Sequence, residues 1–388
     1  MSRKTVKKRD WNLSKRKNHE VLRHLFEVER FVGKASNDPR LLHYLNEAKK
    51  TIGDVRYGLV FEEHSEPIES VLGEKDVDLV ESKRLSIGRS KRPNILIEGE
   101  NLAVLVYLQK SFLGKVDIVY ADPPYNTGMD FLTYDDDNHS DPGDSYIHSK
   151  WLSFMNKRLE AAYRLLSPRG VLIVHVDEHE KGALLLLTER VFGEGNIMEL
   201  VWPKTNPRFD RNRVERPFRN IKIVHENILV CFKNWNGTRL RKIMQPSWNG
   251  EGKYEEAATD METILKELGT TSSAKDELRQ ILGSREVFRT PKPVKLVKEL
   301  VRSTGGKKAL VLDIFAGSGT TGHAVMDLNK EDGGTRRFIL VNNNENGICR
   351  KVTYERLKRV LLKEPYQETL KYFRTRFVPR TQSRDSTA

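Results

Sequence analysis

The chain has 388 residues, of which 38% are apolar and 31% charged, a balance typical of a folded protein with a sizeable core. Lysine and arginine number 67 against 54 aspartate and glutamate residues, and the net charge of +13 favours a polyanionic partner, nucleic acid before membrane. No apolar stretch approaches the roughly 20 residues that span a bilayer, and no apolar segment of a secretory signal follows the basic N-terminus. The two cysteines exclude a disulfide framework and a CxxC metal knuckle, so we expect a cytoplasmic protein.

The first half of the chain divides into two predicted regions. Residues 1–90 are predicted to form a helical N-terminal extension that begins with a basic arm, and this extension is either a packing or dimerisation appendage or an arm that touches DNA. Residues 91–200 alternate between short apolar strands and amphipathic helices, which predicts a largely parallel sheet covered on both faces. The predicted strands are 94–97, 116–120 and 170–176, and the predicted helices are 102–112, 151–166 and 183–192.

The alternation breaks over residues 201–285 and resumes over residues 286–388. Residues 203–242 contain eleven Lys/Arg and three acidic residues with interleaved aromatic residues, which indicates a basic recognition insert; an ordinary basic surface segment is the alternative. An apolar strand is predicted at 226–232, and residues 250–285 are polar and predicted to be helical. The later elements are helices at 292–301, 320–329 and 347–362 and strands at 309–313 and 338–341, ahead of a basic C-terminal tail.

A Gly-rich turn, DIFAGSGTT at 313–321, lies between a predicted strand and a predicted helix. Gly317 and Gly319 permit positive φ and close approach of the backbone to a ligand, and the free N–H groups of the helix start face the same crevice. The turn can therefore hold a nucleoside cofactor, whereas the missing GxxxxGK[ST] pattern argues against an ATP-cradling loop. Residues 317–322 also fit GxGxxG, with Glu345 about where a ribose-binding acid falls, so this turn alone leaves a nicotinamide enzyme open.

The second motif is Asp122-Pro123-Pro124-Tyr125, directly after the predicted strand at 116–120. Two prolines fix φ and end the strand ladder, so they form a rigid shelf at the carboxyl end of the strand, where ligands bind in such sheets. The shelf carries one carboxylate and one aromatic ring. It suits a planar substrate with an amino group, which stacks on the ring of Tyr125 and donates hydrogen bonds to Asp122 and to the carbonyl of Pro123.

Taken together, DPPY at 122–125 and DxFAGSGTT at 313–321 resemble the S-adenosylmethionine-dependent DNA amino-methyltransferases. The DPPY half precedes the cofactor half, an order similar to the β class, which includes many modification methyltransferases of restriction systems. The resemblance covers about residues 94–200 and 285–362. It implies a Rossmann-like methyltransferase fold, α/β with a doubly wound, mostly parallel sheet, and a bacterial or archaeal chain at the nucleoid, with double-stranded DNA as substrate and a restriction endonuclease as partner.

The resemblance also implies the roles of individual residues. Asp122, Pro123, Pro124 and Tyr125 form the site of the target base, and Asp313 braces the Gly-rich turn. Lys292 and Pro293 match the KP element near the carboxylate of the cofactor, and Glu100 or Asn101 reaches its adenine. The family often has an acidic residue after the strand at 338–341 to hold the ribose, and here Asn342, Asn344 and Glu345 take that place. The remaining expected cofactor ligands are Phe315, Ala316, Gly317, Ser318, Gly319 and Thr320.

These roles lead to a prediction of adenine N6 methylation, in which Asp122 and the carbonyl of Pro123 aim the lone pair of the amine at an activated methyl group. The target base must be flipped out of the duplex. Neither cysteine follows a proline, which disfavours cytosine C5 chemistry. Cytosine N4 methylation, methylation of RNA or a protein amide, and a non-catalytic DNA-binding module that retains the fold are the alternatives.

Three further features of the sequence lie outside the two motifs. The expected DNA contacts in the basic insert are Lys204, Arg208, Arg211, Arg213, Arg216 and Arg219. The loop 127–148 holds six aspartates and no Lys/Arg, and it is either a lid or a solvated loop. His175 and His179 fit the HxxEH pattern, but His175 lies in a predicted strand, so no metal is expected and both histidines, with His225, are interpreted as structural.

Overall fold

The computed structural model describes residues 59–126, 146–206, 223–248, 254–363 and 368–380. The described residues from Phe61 onward form one compact unit. The strands are β1 (Lys75–Glu81), β2 (Asn94–Glu98), β3 (Val116–Ala121), β4 (Leu166–Val176), β5 (Ile197–Pro203), β6 (His225–Phe232), β7 (Ile243–Trp248), β8 (Tyr254–Thr259), β9 (Leu310–Asp313), β10 (Arg337–Asn342) and β11 (Leu370–Pro379). The α-helices are α1 (Pro67–Glu74), α2 (Asn101–Phe112), α3 (Ile147–Leu165), α4 (Lys181–Phe192), α5 (Thr271–Leu282), α6 (Val294–Thr304), α7 (Thr320–Asp332) and α8 (Glu355–Lys363).

Nine of the described strands form one sheet in the order β1-β11-β2-β10-β9-β3-β4-β6-β5. The six consecutive strands from β11 to β4 are parallel, while β1 and β6 run antiparallel to their neighbours. Strands β7 and β8 form a separate hairpin. The predicted doubly wound, mostly parallel sheet is therefore confirmed.

The central strands are apolar because helices cover both of their faces. All four residues of β9 are buried, and in β3 every residue except Asp117 is buried. The carboxylate of Asp117 accepts a hydrogen bond from the backbone N–H of Leu310 at 2.9 Å, which ties the starts of these two strands together.

The chain changes direction between β9 and β3, and this point determines where a ligand can bind. From β9 the chain passes through α7 to β10 on one side, and from β3 it passes through α3 to β4 on the other. Since such crossovers are right-handed, the two helices lie on opposite faces and leave a crevice at the carboxyl ends of β9 and β3.

Several segments differ from their predicted structure. Residues 75–81, predicted within a helical extension, form strand β1, which pairs with β11. Residues 254–259, predicted as helical, form one arm of the β7–β8 hairpin. The predicted basic tail contains β11, which pairs with β2, and its alternating Leu370 and Tyr372 are buried. Strands β1 and β11 are stabilised by pairing with neighbours far along the chain, whereas β8 pairs with the adjacent β7, and local composition reveals neither pairing.

Two other segments also differ. The predicted insert 201–285 contributes β6, which pairs with β4 and β5, so this region is in part built into the main sheet. The helix predicted at 347–362 is a 3₁₀ turn at Glu345–Gly347, a π-helical turn at Cys349–Tyr354 and then α8. Asn346 with φ +50° and Gly347 with φ +77° break the helical path at its start.

Across the described ranges, every helix is too short or too polar to cross a lipid bilayer.

Candidate active site

The shelf Asp122–Tyr125 begins where β3 ends, at the crevice beside β9. The indole Nε1 of Trp151, a fully buried residue of α3, donates a hydrogen bond to the carbonyl of Pro124 at 2.7 Å. The two prolines fix φ, and this hydrogen bond fixes the shelf against the helix. The side chain of Asp122 is 23% exposed, so its carboxylate is open to the crevice.

A buried lysine holds the shelf from the other half of the chain. The Nζ of Lys292 lies 2.9 Å from Oδ1 of Asp122 and 3.1 Å from Oε2 of Glu226, and it donates to the hydroxyl of Tyr125 at 3.0 Å. The Tyr125 hydroxyl in turn donates to Oδ1 of Asp122 at 2.5 Å. Oδ1 of Asp122 is therefore engaged twice, while Oδ2 has no partner among the described residues.

Lys292, Asp122, Glu226 and Tyr125 are here called the Lys292 cluster. The protonation states of its buried groups depend on their burial and on the positive charge of the lysine. Burial alone would raise the pKa of Glu226, but Lys292 and Lys204 hold that pKa at about 2. Burial would likewise lower the pKa of Lys292, and the carboxylates of Asp122 and Glu226 raise it instead. Lys292 is thus a permanent cation between two carboxylates, and it orients Asp122 as a hydrogen-bond acceptor.

Lys292 was expected near the carboxylate of the cofactor, and that role stays a prediction. In the structure its ammonium contacts the buried carboxylates of Asp122 and Glu226. Its backbone carbonyl accepts a hydrogen bond from the hydroxyl of Thr320 at 3.2 Å. Pro293 then precedes α6 directly as its N-cap residue. One residue therefore joins the DPPY shelf to the Gly-rich turn.

The Gly-rich turn leaves β9 next to the shelf. Asp313 is the register partner of Tyr120 across the β3–β9 pair, and the backbone N–H of Ile314 donates to the carbonyl of Tyr120 at 3.1 Å. Two segments 191 positions apart, at Asp122 and Asp313, thus leave neighbouring strands at the same edge. The central spatial expectation from the sequence, that the two motifs face one crevice, agrees with this pairing.

Asp313 holds the turn in shape. Its Oδ1 accepts the backbone N–H of Phe315 at 2.9 Å, and its Oδ2 accepts the hydroxyl of Thr321 at 2.6 Å. Gly317 has φ +47° and Gly319 has φ +77°, backbone conformations that disfavour other residues. The start of α7 has no side-chain cap, so its N–H groups point at the crevice without a capping acceptor.

Burial of Asp313 predicts a pH-dependent stability. Burial raises the pKa of this carboxyl from 3.8 to about 7, so between pH 4 and pH 7 the folded chain holds a proton that the unfolded chain has lost. Stability therefore falls as the pH rises through this window, by at most about 1.4 kcal/mol per pH unit, and levels off above it. Urea unfolding at several pH values should give the wild type a more negative slope of stability against pH than Asp313→Asn. Equal slopes would contradict the assignment.

The two ends of α7 offer a matched pair of glycine substitutions. A Cβ on Gly319 would lie 3.2 Å from Cγ2 and 3.3 Å from the carbonyl of Thr353, whereas a Cβ on Gly333, with φ +68°, meets nothing within 4 Å. We expect Gly333→Ala to cost about 1 kcal/mol from backbone strain alone. Gly319→Ala should cost about 2–4 kcal/mol because overlap adds to the strain. Denaturant unfolding of both variants measures the two losses of stability, and equal losses would show that the turn is not tightly packed around Gly319.

A buried arginine lies beneath the turn. The guanidinium of Arg356 is fully buried and donates to the hydroxyls of Ser318 at 3.2 Å and Thr320 at 2.9 Å. The carboxylate of Glu277 lies farther away, at 3.7 Å. Burial lowers the pKa of Arg356 to about 10, which leaves the guanidinium charged at neutral pH. The turn therefore has a positive charge below it as well as the start of a helix, and both favour an anionic ligand group.

The residues after β10 are partly engaged with the protein. Asn342 donates from Nδ2 to the carbonyl of Gly317 at 3.0 Å and so braces the turn. Oδ1 of Asn344 accepts the backbone N–H of Arg350 at 3.1 Å. Glu345 is exposed at the start of the 3₁₀ turn. Asn342 is thus a support of the turn, and the ribose contacts expected of these three residues stay a prediction.

Glu100 and Asn101 are also engaged, in this case by the buried Arg158 of α3. Glu100 caps α2 by accepting the backbone N–H of Ala103 at 2.7 Å and also accepts from Arg158 at 2.7 Å. Asn101 accepts from Nε of Arg158 at 2.6 Å and donates to the carbonyl of Ile314 at 3.2 Å. A buried guanidinium requires such acceptors, so both side chains link α2 to α3, and Asn101 also links them to the start of the Gly-rich turn.

Residues 207–222 of the basic segment lie outside the described residues, as do 127–145 of the acidic loop. The described member of the expected DNA-binding set is Lys204, whose Nζ lies 3.3 Å from Oε1 of Glu226. It therefore connects the basic segment to the Lys292 cluster. The other five expected contacts fall in the gap and stay predictions: Arg208, Arg211, Arg213, Arg216 and Arg219.

Sequence patterns missed three residues of the site. Glu226, Arg158 and Arg356 are buried and belong to neither motif. Glu226 and Arg356 contact motif residues, whereas Arg158 contacts Glu100 and Asn101. The available signal was an ionisable residue at an otherwise apolar position, as for Glu226 at the start of β6. His175, by contrast, is buried with its Nε2 2.6 Å from the hydroxyl of Tyr120, and burial lowers its pKa to about 4, which fits the predicted structural role.

Comparisons with known proteins agree with this geometry. The chain is similar to the Mod subunit of the type III restriction-modification enzyme StyLTI of Salmonella typhimurium, at 28% identity over 74% of this chain and 59% of that protein. It is similar to the EcoPI Mod subunit of Escherichia phage P1, at 28% identity over 65% of this chain and 58% of that protein. It thus spans about three fifths of the length of these two relatives. A third relative, the type II methyltransferase M.KpnI of Klebsiella pneumoniae, is 26% identical over 71% of this chain and 86% of its own length.

A family model described as DNA methylase matches residues 116–351, which include both the DPPY shelf and the Gly-rich turn. The match covers more than half of the chain and runs through the basic segment between the two motifs. With the shelf and the turn side by side at one crevice, the chain belongs to the N6_N4 DNA methylase family.

Proposed function

We propose that this protein transfers a methyl group from S-adenosylmethionine to the N6 amine of adenine in double-stranded DNA. The observation that carries the proposal is the Lys292 cluster, which presents Asp122 of the DPPY shelf beside the Gly-rich turn. Membership of the DNA methylase family and the restriction-modification names of the relatives support the same activity.

The turn fits S-adenosylmethionine by its shape and charge. A Cβ on Gly317 would lie 3.0 Å from Cζ of Phe288, and its φ is +47°, so the close approach and the backbone conformation both favour glycine. The uncapped start of α7 and the guanidinium of Arg356 beneath Ser318 favour a carboxylate. Phe315, whose ring lies 6.0 Å from that of Phe154, supplies an apolar wall. When bound, this cofactor supplies a methyl group that is activated by attachment to a positively charged sulfur.

The chain's own residues prepare the amine. With Oδ1 of Asp122 held by Lys292 and Tyr125, its Oδ2 is left to accept a hydrogen bond from the flipped base. That hydrogen bond and one to the Pro123 carbonyl make the amine nitrogen more tetrahedral and aim its lone pair. Formation of the nitrogen–carbon bond would break the carbon–sulfur bond of the methyl donor, and the extra proton then carried by the nitrogen would pass to Oδ2 of Asp122. An aspartate suffices as acceptor because the methylated ammonium is strongly acidic.

Incorporation of a labelled methyl group into unmethylated DNA tests the proposal. Mapping of the modified base should give N6-methyladenine, and N4-methylcytosine would instead identify the alternative within the family. A preparation that binds S-adenosylmethionine by calorimetry and yet incorporates no label into DNA would contradict the enzymatic proposal. It would point to a DNA-binding module that retains the fold.

We also propose that the chain works as the modification component of a restriction-modification system, in the bacterial or archaeal cytoplasm and with a restriction endonuclease as partner. The Mod and methyltransferase names of its relatives support this context. Sequencing of modified bases in DNA from cells that express the chain would give the recognition site. Protection of that DNA against a matching endonuclease would test the partnership, and sedimentation would test the expected homodimer.

A further inference from the structure

Two adjoining grooves run along the amino-terminal edge of the main sheet, opposite the active crevice. The first has a volume of about 610 Å³ and lies at the starts of β3 and β9. The second has a volume of about 720 Å³ and lies at the starts of β10 and β2. Lys308 lines both grooves, so they form one continuous depression, here called the basal groove.

The basal groove is strongly cationic. Among the residues that the structure describes, six lysine and arginine side chains line it without an ion pair or a hydrogen bond to the protein. They are Arg92, Arg169, Arg239, Arg241, Lys308 and Arg337. Its two acidic residues are already engaged, because Asp117 accepts from Leu310 and Glu368 accepts from Asn94 and Asn329. The groove therefore presents a large uncompensated positive charge.

The parallel register aligns these cations in a row. Arg169 lies near the start of β4, Lys308 just before β9, Arg337 at the first position of β10 and Arg92 just before β2. Strands are about 4.8 Å apart, so the row from β4 to β2 spans about 19 Å. One strand of B-DNA presents roughly five phosphates along that length.

We infer that the basal groove binds the phosphate backbone of a nucleic acid duplex, in a contact that is independent of base sequence and separate from the active crevice. Asp117 in the groove and Asp122 in the crevice lie at opposite ends of β3, about 17 Å apart at 3.3 Å per residue. The duplex segment in the groove is therefore not the one that supplies the target base. It is a bent-back part of the same DNA or a second segment.

The composition of the groove favours nucleic acid over an acidic protein. Arginine forks bind phosphate oxygens in pairs, and five of these six cations are arginines. Protein interfaces are built around buried aromatic and apolar anchors. Of the described lining residues, only Ala309 and Met326 are apolar side chains, and none is aromatic.

The test measures the salt dependence of DNA binding. The variant Arg241→Gln with Lys308→Gln removes two groove cations, and Lys75→Gln with Lys266→Gln removes two exposed cations outside the groove. Affinity for a fluorescent duplex of random sequence is measured by anisotropy over a range of salt concentrations. Loss of two phosphate contacts should reduce the slope of log K against log salt by about 1.8 in the groove variant, and the control pair should leave the slope unchanged.

An unchanged slope in the groove variant overturns the inference. If affinity for polyglutamate falls in that variant while DNA binding does not, the groove belongs to an acidic protein instead.

The inference rests on the proposed function only in taking DNA as the polyanion, and binding is measured without methylation. Wild type that binds DNA with the expected slope and transfers no methyl group contradicts the proposed function alone. Methyl transfer with a groove variant of unaltered slope contradicts this inference alone.

Discussion

Replacement of Asp122 by alanine should lower the rate of methyl transfer by at least about 10²–10³-fold, because the acceptor that orients the target amine is lost. The fold should survive, since Lys292 keeps its ion pair with Glu226 at 3.1 Å. Affinity for S-adenosylmethionine should change little, because Asp122 is not part of the Gly-rich turn. Single-turnover transfer and calorimetric titration of the cofactor measure the two quantities separately.

Glu178→Ala is a suitable control for this experiment. Glu178 is exposed next to the buried Asp177, beyond the end of β4, and it takes no part in the Lys292 cluster. Its substitution removes a carboxylate without touching the shelf, so activity should stay at the wild-type level. Full activity of Asp122→Ala would remove Asp122 from the mechanism, and with it the role of the shelf.

Replacement of Lys292 by methionine should destabilise the protein by about 3–5 kcal/mol, because it leaves the buried carboxylate of Glu226 facing Asp122 with Lys204 as its remaining cation. Both Lys292 and Glu226 are only 6% exposed, so water cannot take over the role of the ammonium. Transfer activity should fall steeply as Asp122 loses its orientation. Denaturant unfolding and the transfer assay measure the two effects.

A second substitution separates charge from shape in this cluster. Lys292→Met with Glu226→Gln removes the opposed carboxylate, so part of the lost stability should return, and the two effects should not be additive. Cofactor affinity distinguishes the two possible roles of Lys292. If the ammonium held the cofactor carboxylate, Lys292→Met would weaken cofactor binding in proportion to activity. The observed contacts with Asp122 and Glu226 instead predict a large loss of activity with cofactor binding close to wild type.

The Lys292 cluster also explains why the two halves of the domain depend on each other. The side chain of Lys292 holds the shelf after β3, and its backbone carbonyl holds Thr320 at the start of α7. A shift of α6, which begins two residues later, would therefore move both parts of the site. This coupling positions the acceptor of the amine relative to the turn without a direct contact between the two motifs.

The sequence by itself determined the alternation of strands and helices, the two motifs and the edge of the sheet at which they lie. The strand before the Gly-rich turn is a continuous apolar run and the strand before Asp122 is apolar except for Asp117, a pattern typical of strands buried between helices. Prolines after one strand and glycines after the other restrict the backbone locally, so their shape follows from residue type. These are properties of neighbouring residues, and neighbouring residues are what a sequence pattern reports.

Only the tertiary structure decided which charges meet. The Nζ of Lys292 contacts the carboxylate of Asp122, 170 positions earlier in the chain. Arg158 and Arg356 belong to neither motif and reach the site only through the fold. The strands β1 and β11 and the row of cations along the basal groove likewise depend on the pairing order of the sheet. A buried ion selects its partner by proximity in the folded chain and by the high cost of burial without one, and neither is encoded in the spacing of adjacent residues.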